Sequence, residues 1–271
     1  MNTALHDRIN ILLAKLNKIH SISKTVPHYL GQQIDELYNN LVYLLKELDK
    51  NLPLTLRESI TIENKLITFN YYLNVIDIAC DFIKTINRTF LFFTFKSIRD
   101  IYRYTSILFN KSSTGIQRKT MMFLYPYEEF CERYLELDES VLEPIRSSLS
   151  ITPSVHLDIH IIYTPRTTPD KPSEWSPITH EIAHTLFRGK GYTTLTELIE
   201  SLVPKDIEER IKNLLRNYIE EIICDLIASA YLGPAYILNL FKEAKAIITW
   251  TDHPPTYIRC KIINTTCQDI I

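Results

Sequence analysis

Glycine is scarce in this chain, and its scarcity limits the folds that the chain can form. The 271 residues include 5 Gly, whereas an average usage of roughly 7% would give about 19. Domains that bind phosphates through glycine-rich loops need several glycines to bring the backbone close to the ligand, and neither G-x-G-x-x-G nor G-x-x-x-x-G-K-[ST] occurs. The sequence therefore argues against a Rossmann or P-loop nucleotide-binding domain.

Paired cysteines and an excess of basic charge are also missing. The 5 Cys include no C-x-x-C pair, which excludes a thiolate zinc knuckle and gives no indication of a disulfide framework. The formal net charge is -2 at pH 7, so the surface is not built mainly to neutralise phosphates. We therefore expect no nucleic-acid partner.

Long apolar runs and a signal peptide are missing too. The uninterrupted apolar stretches are far shorter than the ~20 residues that a membrane-spanning helix needs. The first residues, from Met1 to Asp7, lack the basic start and apolar stretch of a signal peptide. We therefore expect a cytoplasmic protein without a membrane span.

The first part of the chain carries the pattern of amphipathic helices. Apolar residues recur every three to four positions in the first two segments, and further helical stretches run from about Arg57 to Arg88 and from Thr89 to Asn110. The recurring residues are Leu5, Ile9, Leu12, Leu16 and Ile19, then Ile34, Leu37, Leu41, Leu44, Leu45 and Leu48. The segment 111–115 is the best candidate boundary, so we predict a bundle-like helical region at 1–115 and a second domain at 116–271.

Strands are predicted only after this boundary. Residues 120–125 favour a strand and 128–137 a helix, and Val155–Thr164 alternates apolar with polar residues as a half-exposed strand does. Its polar side carries His156, Asp158 and His160, and we expect the two histidines to be solvated or to face a substrate. The predicted fold class is α+β, predominantly helical, with a small sheet.

The segment Thr179–His184 contains the motif H-E-x-x-H. Ser176 is predicted to cap a short helix over residues 177–188, so His180 and His184 lie one turn apart on one face and both imidazoles can reach one ion. Glu181 lies beside that face, where it can contact a metal-bound water. The alternative is a surface helix with two solvated histidines.

A third ligand is predicted on a second helix, over residues 206–232. Asp206 and Glu209 form a capping box at its start. Glu221 and Asp225 occupy positions of its apolar stripe, where a carboxylate is rare unless it is paired or bound to a metal. Glu221 is the predicted third ligand, and Asp225 is placed to accept the second N–H of a zinc-bound histidine, in the first place His180.

Two alternatives accompany this assignment. Glu220 is the fallback ligand, although it points about 100° away from the stripe. The buried carboxylates could instead form a structural salt bridge, for example to an arginine from the helical half.

H-E-x-x-H followed by a helical E-x-x-x-D resembles the gluzincin branch of zinc metallopeptidases, the thermolysin-like clan. The residues that carry the resemblance are His180, Glu181, His184, Glu221 and Asp225. It implies that the two histidines and Glu221 hold Zn²⁺, that Glu181 is the general base and that Asp225 anchors a ligand. It also implies a zincin-like domain on which the helical half packs.

The resemblance covers about residues 155–260 and extends to two further stretches. Gluzincins have an edge strand before the motif helix, to which a peptide substrate adds as a further strand, and Val155–Thr164 has the matching place in the order. His253 and Arg259 resemble the H-P-x…R element of some intracellular and membrane zincins, in which a His or Arg steadies the oxyanion. His253 could equally be a turn histidine, and Arg259 could pair with a carboxylate.

The expected function is therefore that of a zinc-dependent hydrolase, a soluble metallopeptidase with Glu181 as base and a peptide or protein as substrate. His253 is the further catalytic candidate. Two other classes stay open: a zinc-containing regulatory or scaffold protein that binds a partner through its helical half, and a metal-free helical interaction protein.

Overall fold

The computed structural model describes residues 2–26, 28–52, 55–108, 117–151, 155–187, 193–243 and 254–270. Within these ranges the fold is predominantly helical with one small sheet of three strands, which confirms the predicted α+β class.

The described helices and strands follow one another in a simple order. The helices are α1 (Asn2–Ser21), α2 (His28–Lys50), α3 (Leu56–Thr85), α4 (Arg88–Leu108), α5 (Glu143–Ser148), α6 (Ser176–His184), α7 (Thr193–Leu202), α8 (Glu209–Leu232), α9 (Pro234–Glu243) and α10 (Thr256–Ile270). The strands are β1 (Gln117–Tyr127), β2 (Cys131–Leu135) and β3 (Val155–Pro165). The four helices predicted for the first part of the chain are present, and α3 and α4, whose bounds were predicted, begin and end within three residues of those bounds.

The chain divides into two compact units. The first combines Met1–Leu91 with Ser112–Tyr127 and Arg133–Tyr163. In it α1 packs against α2 and α3, and α3 packs against β1. The apolar stripes of α1 and α2 are buried as their periodicity predicts, Leu5 to Ile19 on α1 and Ile34 to Leu48 on α2.

The second unit combines Phe92–Lys111, Glu128–Glu132 and Thr164–Ile271. Helices α8, α9 and α10 pack on one another around a small apolar cluster. Its members are Ala228, Tyr236, Leu240, Cys260 and Ile263. The predicted boundary at 115/116 lies outside the described residues, and the division there stays a prediction.

The sheet differs from the prediction in two ways. Its order is β1-β3-β2, so β3 is the middle strand and not an edge to which a peptide can add. Both faces of β3 are buried, and Asp158 and His160 are 4% and 1% exposed, so neither is solvated. The hydroxyl of Tyr134 donates to Asp158 across 3.3 Å. Residues 128–137 contain β2 instead of the predicted helix, because this stretch pairs in the sheet.

One helix in the described part of the chain could cross a membrane by its length and composition. It is the segment Arg57–Thr85 of α3, and 44% of its apolar window is buried. A core helix of a soluble protein passes the same test, and α3 contributes Leu66, Phe69 and Leu73 to the interior. The absence of a membrane span stays a prediction.

Gly31 lies where α2 comes closest to the segment that follows α1, and it yields a test of that packing. A Cβ at position 31 would overlap the backbone carbonyl oxygen of Ser23. Gly→Ala in a helix usually stabilises by about 1 kcal/mol. We expect Gly31→Ala to lower the free energy of unfolding instead, by about 1–3 kcal/mol, because the backbone must move apart. Urea unfolding measures this change, with Asn39→Ala on the exposed side of α2 as control. A stabilised Gly31→Ala protein would contradict the described contact.

Candidate metal centre

The helix that carries H-E-x-x-H begins at Ser176, one residue earlier than predicted. Trp175 is its N-cap residue and makes no capping hydrogen bond with its side chain. Its indole Nε1 donates instead to the carbonyl oxygen of Thr168 across 2.9 Å. The Ser176 hydroxyl accepts from the side-chain amide of Asn239 at 2.5 Å. The prediction of Ser176 as N-cap was therefore wrong: this side chain joins α6 to α9.

Helix α8 begins at Glu209, so the predicted capping box at Asp206 was also wrong. The first part of its predicted apolar stripe is exposed, with Ile211 at 47% and Leu214 at 39%. The part that packs against α6 is buried and carries the carboxylates of Glu221 and Asp225, which are 5% and 0% exposed. The apolar stripe of α8 is thus exposed near its start and buried where it carries the two carboxylates.

His180, His184 and Glu221 form a buried group that could hold a metal ion. The Nε2 atoms of the two histidines are 3.1 Å apart. Glu221 approaches both of them, with Oε2 at 3.2 Å from Nε2 of His180 and Oε1 at 3.2 Å from Nε2 of His184. Two ligand atoms bound tetrahedrally to one zinc ion, each about 2.05 Å from it, are about 3.3 Å apart. The three distances, which involve a different Glu221 oxygen next to each histidine, are therefore close to the spacing of ligand atoms in one coordination shell.

Each histidine also meets a carboxylate with its other ring nitrogen. Nδ1 of His180 is 2.9 Å from Oδ1 of Asp225, and Nδ1 of His184 is 2.9 Å from Oε1 of Glu220. An ionised carboxylate only accepts hydrogen bonds, so the Nδ1 atoms carry hydrogens. In the neutral form that binds metals, each imidazole would therefore direct its Nε2 lone pair towards Glu221.

This arrangement attracts positive charge. The two Nε2 atoms are 3.1 Å apart, and each lies 3.2 Å from a different oxygen of the Glu221 carboxylate. Burial would lower the pKa of His180, but its hydrogen bonds to Asp225 and Glu221 outweigh burial and raise the pKa to about 8. A metal ion would take the place of the protons on Nε2. Nitrogen from two histidines with one carboxylate oxygen is also a donor set of catalytic zinc sites. The residues present therefore fit the ion that the gluzincin resemblance implies.

Asp225 is the most heavily hydrogen-bonded group of the centre. Its Oδ1 accepts from the Tyr236 hydroxyl at 2.5 Å and from Nη2 of Arg259 at 2.6 Å, and its Oδ2 accepts from Nε of Arg259 at 2.6 Å. Burial would raise the pKa of this carboxyl, but the hydrogen bonds from Arg259 and His180 outweigh it and lower the pKa to about 2. Asp225 is therefore ionised throughout the physiological pH range.

Glu181 lies on the wall of a pocket of about 350 Å³ that opens beside the triad. Burial raises the pKa of its carboxyl above the ordinary value. The pocket is lined by the triad and by residues of β2, α6, α9 and α10 within the second unit. These further lining residues are Phe130, Cys131, Glu132, Ser176, Pro177, Glu181, Tyr236, Asn239, Leu240 and Arg259. A small substrate segment or a water could thus reach the triad and Glu181 from one side.

The structure brings six of the predicted site residues together: His180, Glu181, His184, Glu221, Asp225 and Arg259. The seventh, His253, lies outside the described residues. The arginine that pairs with Asp225 comes from α10 and not from the helical half.

Two contacts of the centre were missed from the sequence. Glu220 contacts Nδ1 of His184, so it takes the outer position on this histidine and not the place of the third ligand. The Tyr236 hydroxyl is 3.1 Å from Nδ1 of His180. A buried tyrosine on the helix after Gly233-Pro234 was a weak signal, because a buried hydroxyl requires a polar partner.

Comparison of the chain with protein-family models, with curated proteins and with solved structures finds no match. The gluzincin resemblance therefore depends on the residues of the centre and on their arrangement.

The cysteines provide a chemical test of this site. Cys131 is exposed on the pocket wall, whereas Cys80, Cys224 and Cys260 are buried. Burial raises the pKa of both Cys80 and Cys224 to about 12, and the thiolate is the reactive form. We expect iodoacetamide at neutral pH to modify Cys131 at least tenfold faster than these three, as followed by peptide mass spectrometry. Denatured protein, in which all should react, is the control, and rapid native labelling of Cys224 would contradict the described burial.

Proposed function

We propose that this chain binds one zinc ion through His180, His184 and Glu221 and uses it to hydrolyse peptide bonds, with Glu181 as the general base. The observation that carries the proposal is the buried group of His180, His184 and Glu221 beside a pocket that also holds Glu181. Its two Nε2 atoms are 3.1 Å apart, and each lies 3.2 Å from one of the two carboxylate oxygens.

The residues around the ligands support a zinc site in particular. Asp225 and Glu220 accept the Nδ1 hydrogens of the two histidines, which orients the rings and makes them better donors. Such carboxylate–histidine pairs are a regular feature of zinc sites, and removal of one typically costs 10- to 100-fold in metal affinity. Both carboxylates lie on α8, as does Glu221, so one helix supplies three of the acidic groups.

The open pocket supports catalysis over a purely structural role. Structural zinc sites are closed by four protein ligands, whereas catalytic sites have three and keep one position accessible. Here three ligands meet at the wall of a cavity of about 350 Å³. A zinc-containing scaffold or regulatory protein is the alternative class, and the activity of the Glu181 variant described below distinguishes it.

The positions of the zinc ligands and of Glu181 indicate what each group would contribute to hydrolysis. Zinc held by His180, His184 and Glu221 would supply Lewis-acid chemistry, which lowers the pKa of a bound water to about 7. Glu181 accepts a proton from the attacking water as its oxygen bonds to the substrate carbonyl carbon, and delivers that proton to the leaving nitrogen when the C–N bond breaks. The products are a carboxylic acid and an amine, and transfer of the remaining water proton between them gives a carboxylate and an ammonium group.

A peptide is the substrate class that the pocket wall favours. Phe130, Cys131 and Glu132 line the pocket, and Cys131 and Glu132 belong to β2, the last strand in the order β1-β3-β2. An edge strand offers backbone N–H and C=O groups to an extended chain, which can add as a further strand. In this proposal β2 therefore takes the role that the sequence had suggested for β3.

The metal stoichiometry is the first test of this proposal. Purified protein should contain about one equivalent of zinc by inductively coupled plasma mass spectrometry, and His184→Ala should lose it because one of three ligands is removed. His6→Ala, which changes an exposed histidine on α1, should retain the full equivalent. A wild-type protein without zinc, also after incubation with Zn²⁺, would refute the site.

Replacement of the base separates metal binding from catalysis. Glu181→Gln should retain zinc and lose at least 100-fold in peptide cleavage, because it removes the proton acceptor and spares the ligands. The assay incubates each protein with peptides from denatured casein and counts new termini by mass spectrometry. Glu174→Gln, an exposed carboxylate shortly before α6, should cleave as the wild type does. If zinc-loaded wild type leaves casein peptides intact, the scaffold class is favoured; if Glu181→Gln cleaves at the wild-type rate, Glu181 is not the base.

A further inference from the structure

Arg259 is tied to the centre by α10. Its neighbour Cys260 and Ile263, one turn on, are both buried in the apolar cluster with Tyr236 of α9. The guanidinium projects from this packed helix towards α8 and is 12% exposed. Its position is thus determined by the core of the second unit and not by a flexible loop.

The Arg259 guanidinium donates two parallel hydrogen bonds to Asp225. Nε donates to Oδ2 and Nη2 donates to Oδ1, both across 2.6 Å. Such a pair fixes the plane of the carboxylate as well as its charge. Nη2 also lies 3.7 Å from Oε2 of Glu221, so the same cation is close to the proposed ligand.

We propose that Arg259 is a positioning residue that acts on the metal through Asp225 and His180, and not an oxyanion donor. This inference rests on the proposed zinc site. Arg259 contacts the Asp225 carboxylate, and Oδ1 of Asp225 lies 2.9 Å from Nδ1 of His180. The other ring nitrogen of His180, Nε2, lies 3.2 Å from Oε2 of Glu221. The Tyr236 hydroxyl contacts both Asp225 and His180 and holds the middle of this chain.

The physical need for Arg259 follows from the burial of Asp225. The carboxylate is 0% exposed, and a buried carboxylate without a countercharge is costly. If the arginine were removed, Asp225 would lose its countercharge and the two hydrogen bonds that fix its plane, and His180 would lose its oriented acceptor. Arg259→Lys would keep the positive charge but not the two parallel hydrogen bonds to Asp225, so it should retain only part of the zinc affinity.

Zinc affinity tests this inference without an activity assay. Competition with a chromophoric chelator gives the Kd of the wild type and of Arg259→Met, Arg259→Lys and Tyr236→Phe. We expect Arg259→Met to weaken binding 10- to 100-fold, as loss of an outer contact does in zinc sites, and Arg259→Lys and Tyr236→Phe to weaken it less. Arg216→Met is the matched control, because Arg216 pairs with Glu200 and Glu209 on the exposed side of α8 and should leave Kd unchanged.

A double-mutant cycle tests the route. If Arg259 acts through Asp225, Arg259→Met should weaken zinc binding by less than threefold in an Asp225→Asn background. An oxyanion role predicts the opposite pattern: unchanged zinc affinity of Arg259→Met in both backgrounds and a loss of cleavage only. Circular dichroism checks that each variant folds. If Arg259→Met fails to fold, the zinc Kd values of Arg259→Lys and Tyr236→Phe are compared with that of the wild type instead.

The two proposals fail in different ways. A wild-type protein that binds no zinc refutes the metal site itself. A wild type that binds zinc, with unchanged Kd in Arg259→Lys, Arg259→Met and Tyr236→Phe, refutes the positioning role and leaves the site intact.

Discussion

The packing of α6 against α8 brings two histidines onto three carboxylates, and the rest of the centre depends on this contact. His180 meets Asp225, whereas His184 meets Glu220. The histidine that comes first along α6 therefore faces the acid that comes last along α8, so the two helices run antiparallel at the site. The two histidines are four residues apart on α6, and the acids that they meet are five residues apart on α8, about one turn in each case. A single relative position of the two helices therefore allows both pairs to form.

Buried charge explains why α9 and α10 complete this arrangement. A carboxylate inside a protein requires donors for its oxygens and a charge to balance it. Tyr236 of α9 supplies a hydroxyl and Arg259 of α10 supplies a guanidinium, both to Asp225. The apolar cluster that joins α8, α9 and α10 includes Tyr236 itself. The core and the polar network are thus built on the same helices, so the position of Asp225 is as rigid as the packing beneath it.

The sequence predicted those parts that depend on helical periodicity alone. The stripes of α1 and α2, and the burial of Glu221 and Asp225, follow from spacing along one helix. The order of the strands does not, because pairing between β1, β3 and β2 depends on contacts far apart in the chain. Glu220 was treated as a substitute ligand because a helical wheel gives its angle but not the Nδ1 atom of His184 that it meets. Likewise, Ser176 was expected to cap α6, but a partner on α9 uses its hydroxyl.

Charge balance adds an argument that is independent of ligand geometry. Glu220, Glu221 and Asp225 bring three negative charges to the buried cluster, apart from Glu181 on the pocket wall, and Arg259 brings one positive charge. This part of the protein is shielded from water, where clustered carboxylates favour positive charge nearby, and the hydrogen bonds to Asp225 and Glu221 raise the pKa of His180 to about 8 against the effect of burial. A divalent cation would supply such positive charge. A bound cation would displace the protons on Nε2 and use these nitrogens as ligands, so metal binding at this cluster should compete with protonation of the histidines.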